Sequence, residues 1–341
     1  MNLSSWQMPP EWHPHAGCWL AWPCRDEIWG LGVDAAKRAY AEVIDAISQS
    51  EPVTLLVRPE QLAEAQKMVP SRNVTLVPMA LDDSWARDTM PLFVATPHGQ
   101  QGAVNFRFNA WGEKFTPYAQ DAAMGQLVLD RLAQQRPCFT GINSKLILEG
   151  GSIHVDGEGT LLTTSECLLN PNRNPHLTQA QIETELCQQL GADKVLWLPN
   201  GVYGDVDTDG HVDNIATFTA PGRVLTMSSD SRSSPNYERY QANHDALAEM
   251  QDAKGRSLTV VDIPEPEQTE LNGEVLALSY INYYLANEAV VMPAFGQSDR
   301  DQEAQRIIQA EFTNREVVVI DAMPILAGGG GIHCITMQEP R

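Results

Sequence analysis

DAAKRAYAEVIDAISQS, residues 34–50, is followed almost at once by VTLLV from residue 53. The first stretch carries apolar residues at helical spacing, and the second is a short unbroken apolar run of the kind that forms a buried strand. The same succession returns along the chain. Helical patterns at 121–134, 178–190, 235–253 and 299–312 are followed by KLIL at 145, VLWLP at 195, LTVVDI at 258 and VVVID at 317. Strand-like segments precede most of these helices. The last four helix centres are about 60 residues apart, and the first gap is longer because it also holds a helix near 59–68. No sequence signature repeats with this rhythm. Five units of strands plus one helix suit either a ring about a pseudo-symmetry axis or an irregular α/β sheet. In a ring, loops after successive strands converge on the axis, so residues distant in sequence meet in one central pocket.

The chain has 341 residues, with 43% hydrophobic, 20% charged and eight Trp, a globular composition. That length allows two domains or one large one. With no low-complexity linker, the reading is a single catalytic domain over 1–341, with IPEPEQTE at 263–270 as a surface loop. Lys and Arg number 23 against 44 Asp and Glu, a balance of −21 spread along the chain. This field argues against nucleic acid as a partner. It either concentrates a small cationic ligand or simply keeps the protein soluble. The N-terminal MNLSSWQMPPEWHPHAGC has no basic segment followed by an apolar core, and no run approaches the roughly 20 apolar residues of a membrane span. A soluble, cytoplasmic protein with no membrane partner is expected. Six cysteines (Cys18, Cys24, Cys138, Cys167, Cys187, Cys334) form no Cys-x-x-Cys pair, so neither a disulfide scaffold nor a thiolate zinc site is indicated, and most should be buried, inert thiols.

Five segments carry chemistry. In AGGGGIHCIT, 327–336, four glycines let backbone crowd a ligand, and Cys334 is either a nucleophile or part of a core strand from 332 to 337 that follows a flexible turn. GDVDTDGHVDN, 204–214, opens like a calcium loop. Counted from Asp205, however, its twelfth residue is Ala216 instead of a bidentate Glu, and its flanks read as a turn and a strand. The other reading is a strand start in which period-2 alternation sends His211 and Asp213 to one face as an acid/base pair. LDDSWARDTMP, 81–91, offers Trp85 and Asp88. ILEGGSIHVDGEGT, 147–160, offers Glu149 at a strand end, as a pocket carboxylate or a turn cap. NFRFNAWGEKF, 105–115, offers Trp111.

Were Cys334, His211, Asp88, Glu149 and Asp213 to share a pocket, it would hold a nucleophile, an acid/base and several anions. Zinc would want tight His spacing, which is absent, and a papain-like hydrolase would suffer from carboxylates that oppose both thiolate and oxyanion. The surplus negative charge points to a cationic reaction centre. A guanidinium, planar and permanently charged, is held by paired carboxylates, and its charge stabilises the neighbouring thiolate.

The segments SWARD, NFRFNAWGEKF, ILEGGSIHVDGEGT, DTDGHVDN and GGGGIHCITMQEP, in that order and across most of the chain, resemble the agmatine deiminase (peptidylarginine-deiminase-like) family. The resemblance implies a five-bladed α/β propeller, and hydrolysis of agmatine to N-carbamoylputrescine and ammonia on the route from arginine to putrescine and polyamines, without metal or organic cofactor. It assigns Cys334 as nucleophile, His211 as general acid/base, Asp88 and Glu149 as the guanidinium clamp, and Asp213 as partner of His211. Trp85 and Trp111 become pocket walls, Asp207 the partner of the ligand's far amine, and a homodimer the expected assembly. The chain departs from the pattern at Gly331, where Asn is expected, and at Asp207, where Glu is usual. The nearest rival is deimination of free or peptidyl arginine on the same machinery. That substrate needs a cation at the pocket mouth, and Arg87, Arg107, Arg173 and Arg232 stand near the motifs. An amidinotransferase, and a metal-binding or structural module built on 205–213, are the remaining alternatives.

Overall fold

The computed structural model describes residues 6–341. Each helical pattern in the sequence is a helix: Val33–Ser48, Ala119–Gln135, Gln179–Leu190, Tyr237–Glu249 and Ser298–Glu311. Local chemistry sets their ends. Thr178 and Gln181 close a reciprocal capping box at the start of Gln179–Leu190, and Gly191, at φ 68°, ends that helix in the left-handed region. Inward faces supply the core, as Ala36, Ala39, Tyr40, Val43, Ile44 and Ile47 do for Val33–Ser48.

Among the described residues, five sheets share one connectivity: two antiparallel strands, a helix, then a strand parallel to the second. Leu92–Ala95, Gln101–Arg107 and Thr140–Ile147 enclose the helix Ala119–Gln135 in this way. Ile153–Val155, Thr160–Thr164 and Lys194–Leu198 do so with Gln179–Leu190, and Ala216–Ala220, Arg223–Ser228 and Thr259–Pro264 with Tyr237–Glu249. Tyr284–Leu285, Ala289–Ala294 and Glu316–Asp321 do so with Ser298–Glu311. The last unit joins the chain's two ends: Thr336–Pro340 pairs antiparallel with His15–Ala21, which runs parallel to Val53–Val57, and Val74–Pro78 is added outside. The fold is thus mixed α/β. Among the described residues no helix is long and apolar enough to cross a membrane.

Four local expectations need correction. The helix near 59–68 begins as a 3-10 turn, Pro59–Gln61, before Leu62–Met68. His211 and Asp213 do not start a strand: Val212–Asn214 is a 3-10 turn held by the Ile215 N–H on the Val212 carbonyl, and the strand begins at Ala216. Residues 332–335 likewise form a turn, because the Thr336 hydroxyl bonds to the Ile332 and His333 carbonyls, and the strand starts only at Thr336. The loop expected at 263–270 starts after the strand Thr259–Pro264.

A positional rule emerges from these turns. Each unit's first strand is preceded by a short helical or turn segment, and these segments hold Asp88 in Ala86–Thr89, Glu149 beside Gly150–Ser152, Asp213 in Val212–Asn214, Asn282 ahead of Tyr284–Leu285, and Cys334 ahead of Thr336–Pro340.

Candidate active site

Those five segments touch one another in sequence. The Gly151 N–H donates to Asp88 Oδ1 at 3.0 Å, and Asp88 Oδ2 lies 3.9 Å from His211 Nδ1. Asn282 Nδ2 donates to Asn214 Oδ1 at 3.0 Å and lies 3.3 Å from Cys334 Sγ, and the Arg87 N–H bonds to the Cys334 carbonyl at 3.0 Å. Cys334, His211, Asp88, Glu149 and Asp213 are all buried, at 6% exposure or less. The slot above them is lined by Asp83, Trp85, Asp88, Trp111, Asp207 and Cys334, together with Phe115 and the loop glycines. The structure therefore brings together the residues that the motifs singled out.

The carboxylates of Asp88 and Glu149 are held in different ways. Asp88 Oδ2 accepts from Trp111 Nε1 at 2.9 Å. Trp111 itself sits at φ 55° in a left-handed run from Ala110 to Glu113, steadied by the Asn109 side chain on the Gly112 N–H. Such strain in a non-glycine residue is sustained only by its surroundings, and here it turns the indole onto the carboxylate. Glu149 gives Oε1 to Arg173 Nε at 2.7 Å and leaves Oε2 without a partner. Arg173 also reaches Asp209, the Asn172 side chain and the Thr208 carbonyl, so its charge is spent inside the protein. Burial opposes the charged form of Glu149, but Arg173 and His211 outweigh it and lower its pKa. Burial raises that of Asp88, with Asp213 and Glu149 adding to the rise and His211 opposing it.

Neither ring nitrogen of His211 has a hydrogen-bond partner. Nε2 faces Glu149 Oε2 at 3.6 Å, and burial is overcome by Asp88, Cys167 and Glu149, which lift the imidazolium pKa well above its ordinary value. Gly151 makes this approach possible, since a Cβ there would lie 2.6 Å from His211 Nδ1 and 2.7 Å from Asp213 Oδ2. Asp213 does not pair with His211. Its Oδ2 bonds to His333 Nδ1 at 2.9 Å and lies 3.7 Å from Cys334 Sγ. Burial, then Asp213 and Asp88, push the Cys334 thiol well above its usual range, while the Gly331 backbone and Asn282 pull the other way. These surroundings favour the protonated thiol.

Sequence reasoning passed over four groups. Asn282 touches the sulfur and accepts, through Oδ1, from the N–H groups of His333 at 2.9 Å and Cys334 at 3.4 Å. It also explains Gly331, where a Cβ would come within 2.3 Å of Asn282 Oδ1. His333 bridges Asp213 to Glu11 Oε1 at 2.8 Å, and Glu11 in turn meets Arg87 at 3.4 Å and His154 at 3.7 Å. Cys167, fully buried, lies against His211 and Glu149. The one available signal for Asn282 was its place ahead of a unit's first strand. The carboxylates of the Asp-rich loop turn to internal bonds: Asp205 holds Thr208 and Gly210, and Asp209 holds Arg173, Asn172 and Lys114.

Fold and site together define a hydrolase acting on the carbon–nitrogen bonds of a guanidino group. Residues 7–340 match the model of the Porphyromonas-type peptidyl-arginine deiminases. A Legionella pneumophila relative is 46% identical over 335 residues, covering 98% of this chain and 94% of its own. The agmatine deiminase of Pseudomonas aeruginosa is 42% identical over 363 residues, covering 99% and 96%. Among solved structures, the agmatine deiminase of Enterococcus faecalis superposes with a TM-score of 0.94 at 33% identity, covering 100% of this chain and 97% of that one. The chain belongs to the Porphyromonas-type peptidyl-arginine deiminase family.

Proposed function

We propose that this chain hydrolyses agmatine to N-carbamoylputrescine and ammonia through a covalent adduct on Cys334. The observation that carries the choice of substrate is the slot itself. Asp83, Asp88 and Asp207 line it between Trp85 and Trp111, and among the described residues no Lys or Arg lines it. Three of the four arginines near the motifs are committed elsewhere. Arg173 is beneath Glu149, Arg87 holds Gln338 and Glu11, and Arg232 stacks over Tyr237 at the surface. A substrate cationic at both ends suits such a lining, whereas an α-carboxylate would be set against Asp83, Asp88 and Asp207, with Arg25 paired to Asp83 and Lys114 on the Asp207 carbonyl as the neighbouring cations.

In this reading the guanidinium lies between Asp88 and the free Oε2 of Glu149, and its charge allows Cys334 to lose its proton to solvent. The thiolate forms a bond to the guanidinium carbon. The His211 imidazolium protonates a terminal nitrogen, the carbon–nitrogen bond breaks, and ammonia leaves a thiouronium on Cys334. His211, now neutral, takes a proton from water as the hydroxide oxygen adds to the carbon. The carbon–sulfur bond then breaks to return the thiolate, the hydroxyl proton passes to solvent, and the ureido product is released. Trp85 walls the aliphatic tail, and Asp207 receives the far amine.

The propeller arrangement belongs to the same proposal. Five units of one connectivity, whose leading segments touch in succession from Asp88 round to Cys334, support a ring about a central pocket in one catalytic domain. The test offers agmatine, L-arginine and a blocked arginine peptide side by side, with ammonia and ureido product measured. Turnover of agmatine far above the other two is expected. A preference for arginine would overturn the substrate assignment while leaving the chemistry standing.

A further inference from the structure

Cys167 is a buried thiol that the hydrolysis does not use. It lies in Ser165–Leu168, the single turn after the strand Thr160–Thr164, with its N–H capped by the Thr164 hydroxyl. A ligand atom from each of Cys167, Glu149 and His211 lies within 4.8 Å of the other two, and all three residues are fully buried. Two of the three point unpartnered groups into that space, namely Glu149 Oε2 and His211 Nε2.

We propose that Cys167, His211 and Glu149 form a binding site for a zinc-like divalent cation, and that its occupation switches off the hydrolase. The separation of 3.6 Å between His211 Nε2 and Glu149 Oε2 is too long for a hydrogen bond. It is close to the edge of roughly 3.4 Å given by tetrahedral zinc with bonds of about 2.0–2.1 Å. Thiolate, imidazole and carboxylate form a donor set for zinc, whereas magnesium and calcium want oxygens alone. Arg173 on Oε1 fixes the Glu149 carboxylate as an outer partner would. Binding forms a sulfur–metal bond and releases the thiol proton of Cys167, together with the ring proton of His211 where it is present. The ion then occupies both the proton donor and one arm of the clamp, so substrate and metal exclude each other. The inhibitory half of this inference rests on the hydrolase reading, and the binding half does not.

The test uses the purified full chain. Co2+ is added to the wild type, Cys167→Ser, Cys167→Ala and Cys334→Ser, and thiolate-to-cobalt charge-transfer absorption is recorded. In parallel, Zn2+ is titrated into agmatine turnover by the variants that retain Cys334, each read against its own zinc-free rate. We expect the band in the wild type and Cys334→Ser and its loss in both Cys167 variants. We expect zinc inhibition of the wild type that EDTA reverses, with at least about tenfold more zinc needed after loss of the Cys167 ligand. A band that survives in the Cys167 variants and vanishes in Cys334→Ser would place the ion on the nucleophile and overturn the inference, as would the absence of any band. Turnover absent everywhere would instead sink the hydrolase reading, with the cobalt spectra still deciding the site.

Discussion

Asn282→Ala probes the group that sequence motifs did not reveal. The substitution removes the Nδ2 donor 3.3 Å from Cys334 Sγ and, with Oδ1, the acceptor for the His333 and Cys334 N–H groups. A hydrogen bond to a charged partner contributes about 1.5–3 kcal/mol. At about 1.4 kcal/mol per tenfold, kcat/KM should fall roughly 10- to 150-fold. The direction for the thiol is fixed by its surroundings: burial, Asp213 and Asp88 already raise its pKa, and Asn282 is one of the groups opposing them, so its loss moves the pKa further up. The rate of iodoacetamide alkylation, followed against pH on the free enzyme, should shift to higher pH. Asn282→Asp separates scaffolding from contact with sulfur. It keeps an acceptor for the His333 N–H but sets another carboxylate against the thiolate, so its alkylation profile should shift at least as far. Profiles and kcat/KM unchanged in both variants would refute the assignment, and a normal Asn282→Asp beside a damaged Asn282→Ala would reduce Asn282 to a backbone prop.

Other consequences are as direct. Trp111→Phe keeps the ring wall and removes the 2.9 Å bond to Asp88, so kcat/KM for agmatine should fall about tenfold, with a stability loss of about 1–3 kcal/mol read by denaturant unfolding. Glu11 is buried, yet His333, Arg87 and His154 together hold its pKa well below the carboxylate range. Its contribution to stability is therefore present above the unfolded-state pKa and is lost as pH falls through the lower folded value. Glu11→Gln leaves Arg87 without its carboxylate and His333 with Asp213 alone, and should cost about 3–5 kcal/mol near neutral pH, read by denaturant unfolding, with a flatter acid limb of the stability profile. Burial and Arg87 oppose the charge on His333, but Glu11 and Asp213 raise its pKa overall, so its contribution is full below the unfolded value and fades as pH rises through the folded one.

The alternation of helix and strand was legible because both elements announce themselves by period, and the motif residues were legible because acids, imidazole and thiol beside glycines are rare in a core. What stayed hidden lacked such a signature. The strand start assumed at His211 failed because short turns made by a local carbonyl contact, Val212 to Ile215, leave no mark on a period-2 reading. Asp213 was assigned to His211 by proximity in sequence, yet the fold delivers His333 from 120 residues away to the same oxygen. Arg173 was a candidate mouth cation because charge can be read from sequence and burial of a guanidinium among four partners cannot. Asn282 sits in SYINYYLAN, a stretch with no charged group to draw attention, and only the positional rule across the five units explains its place at the sulfur.

The most direct test quenches the wild type in acid during steady turnover of agmatine and weighs the peptide that contains Cys334, with Cys334→Ala run beside it. The account predicts an adduct on Cys334 equal to agmatine less ammonia, which decays as substrate is exhausted, and no product from the variant. Ureido product from Cys334→Ala would contradict it.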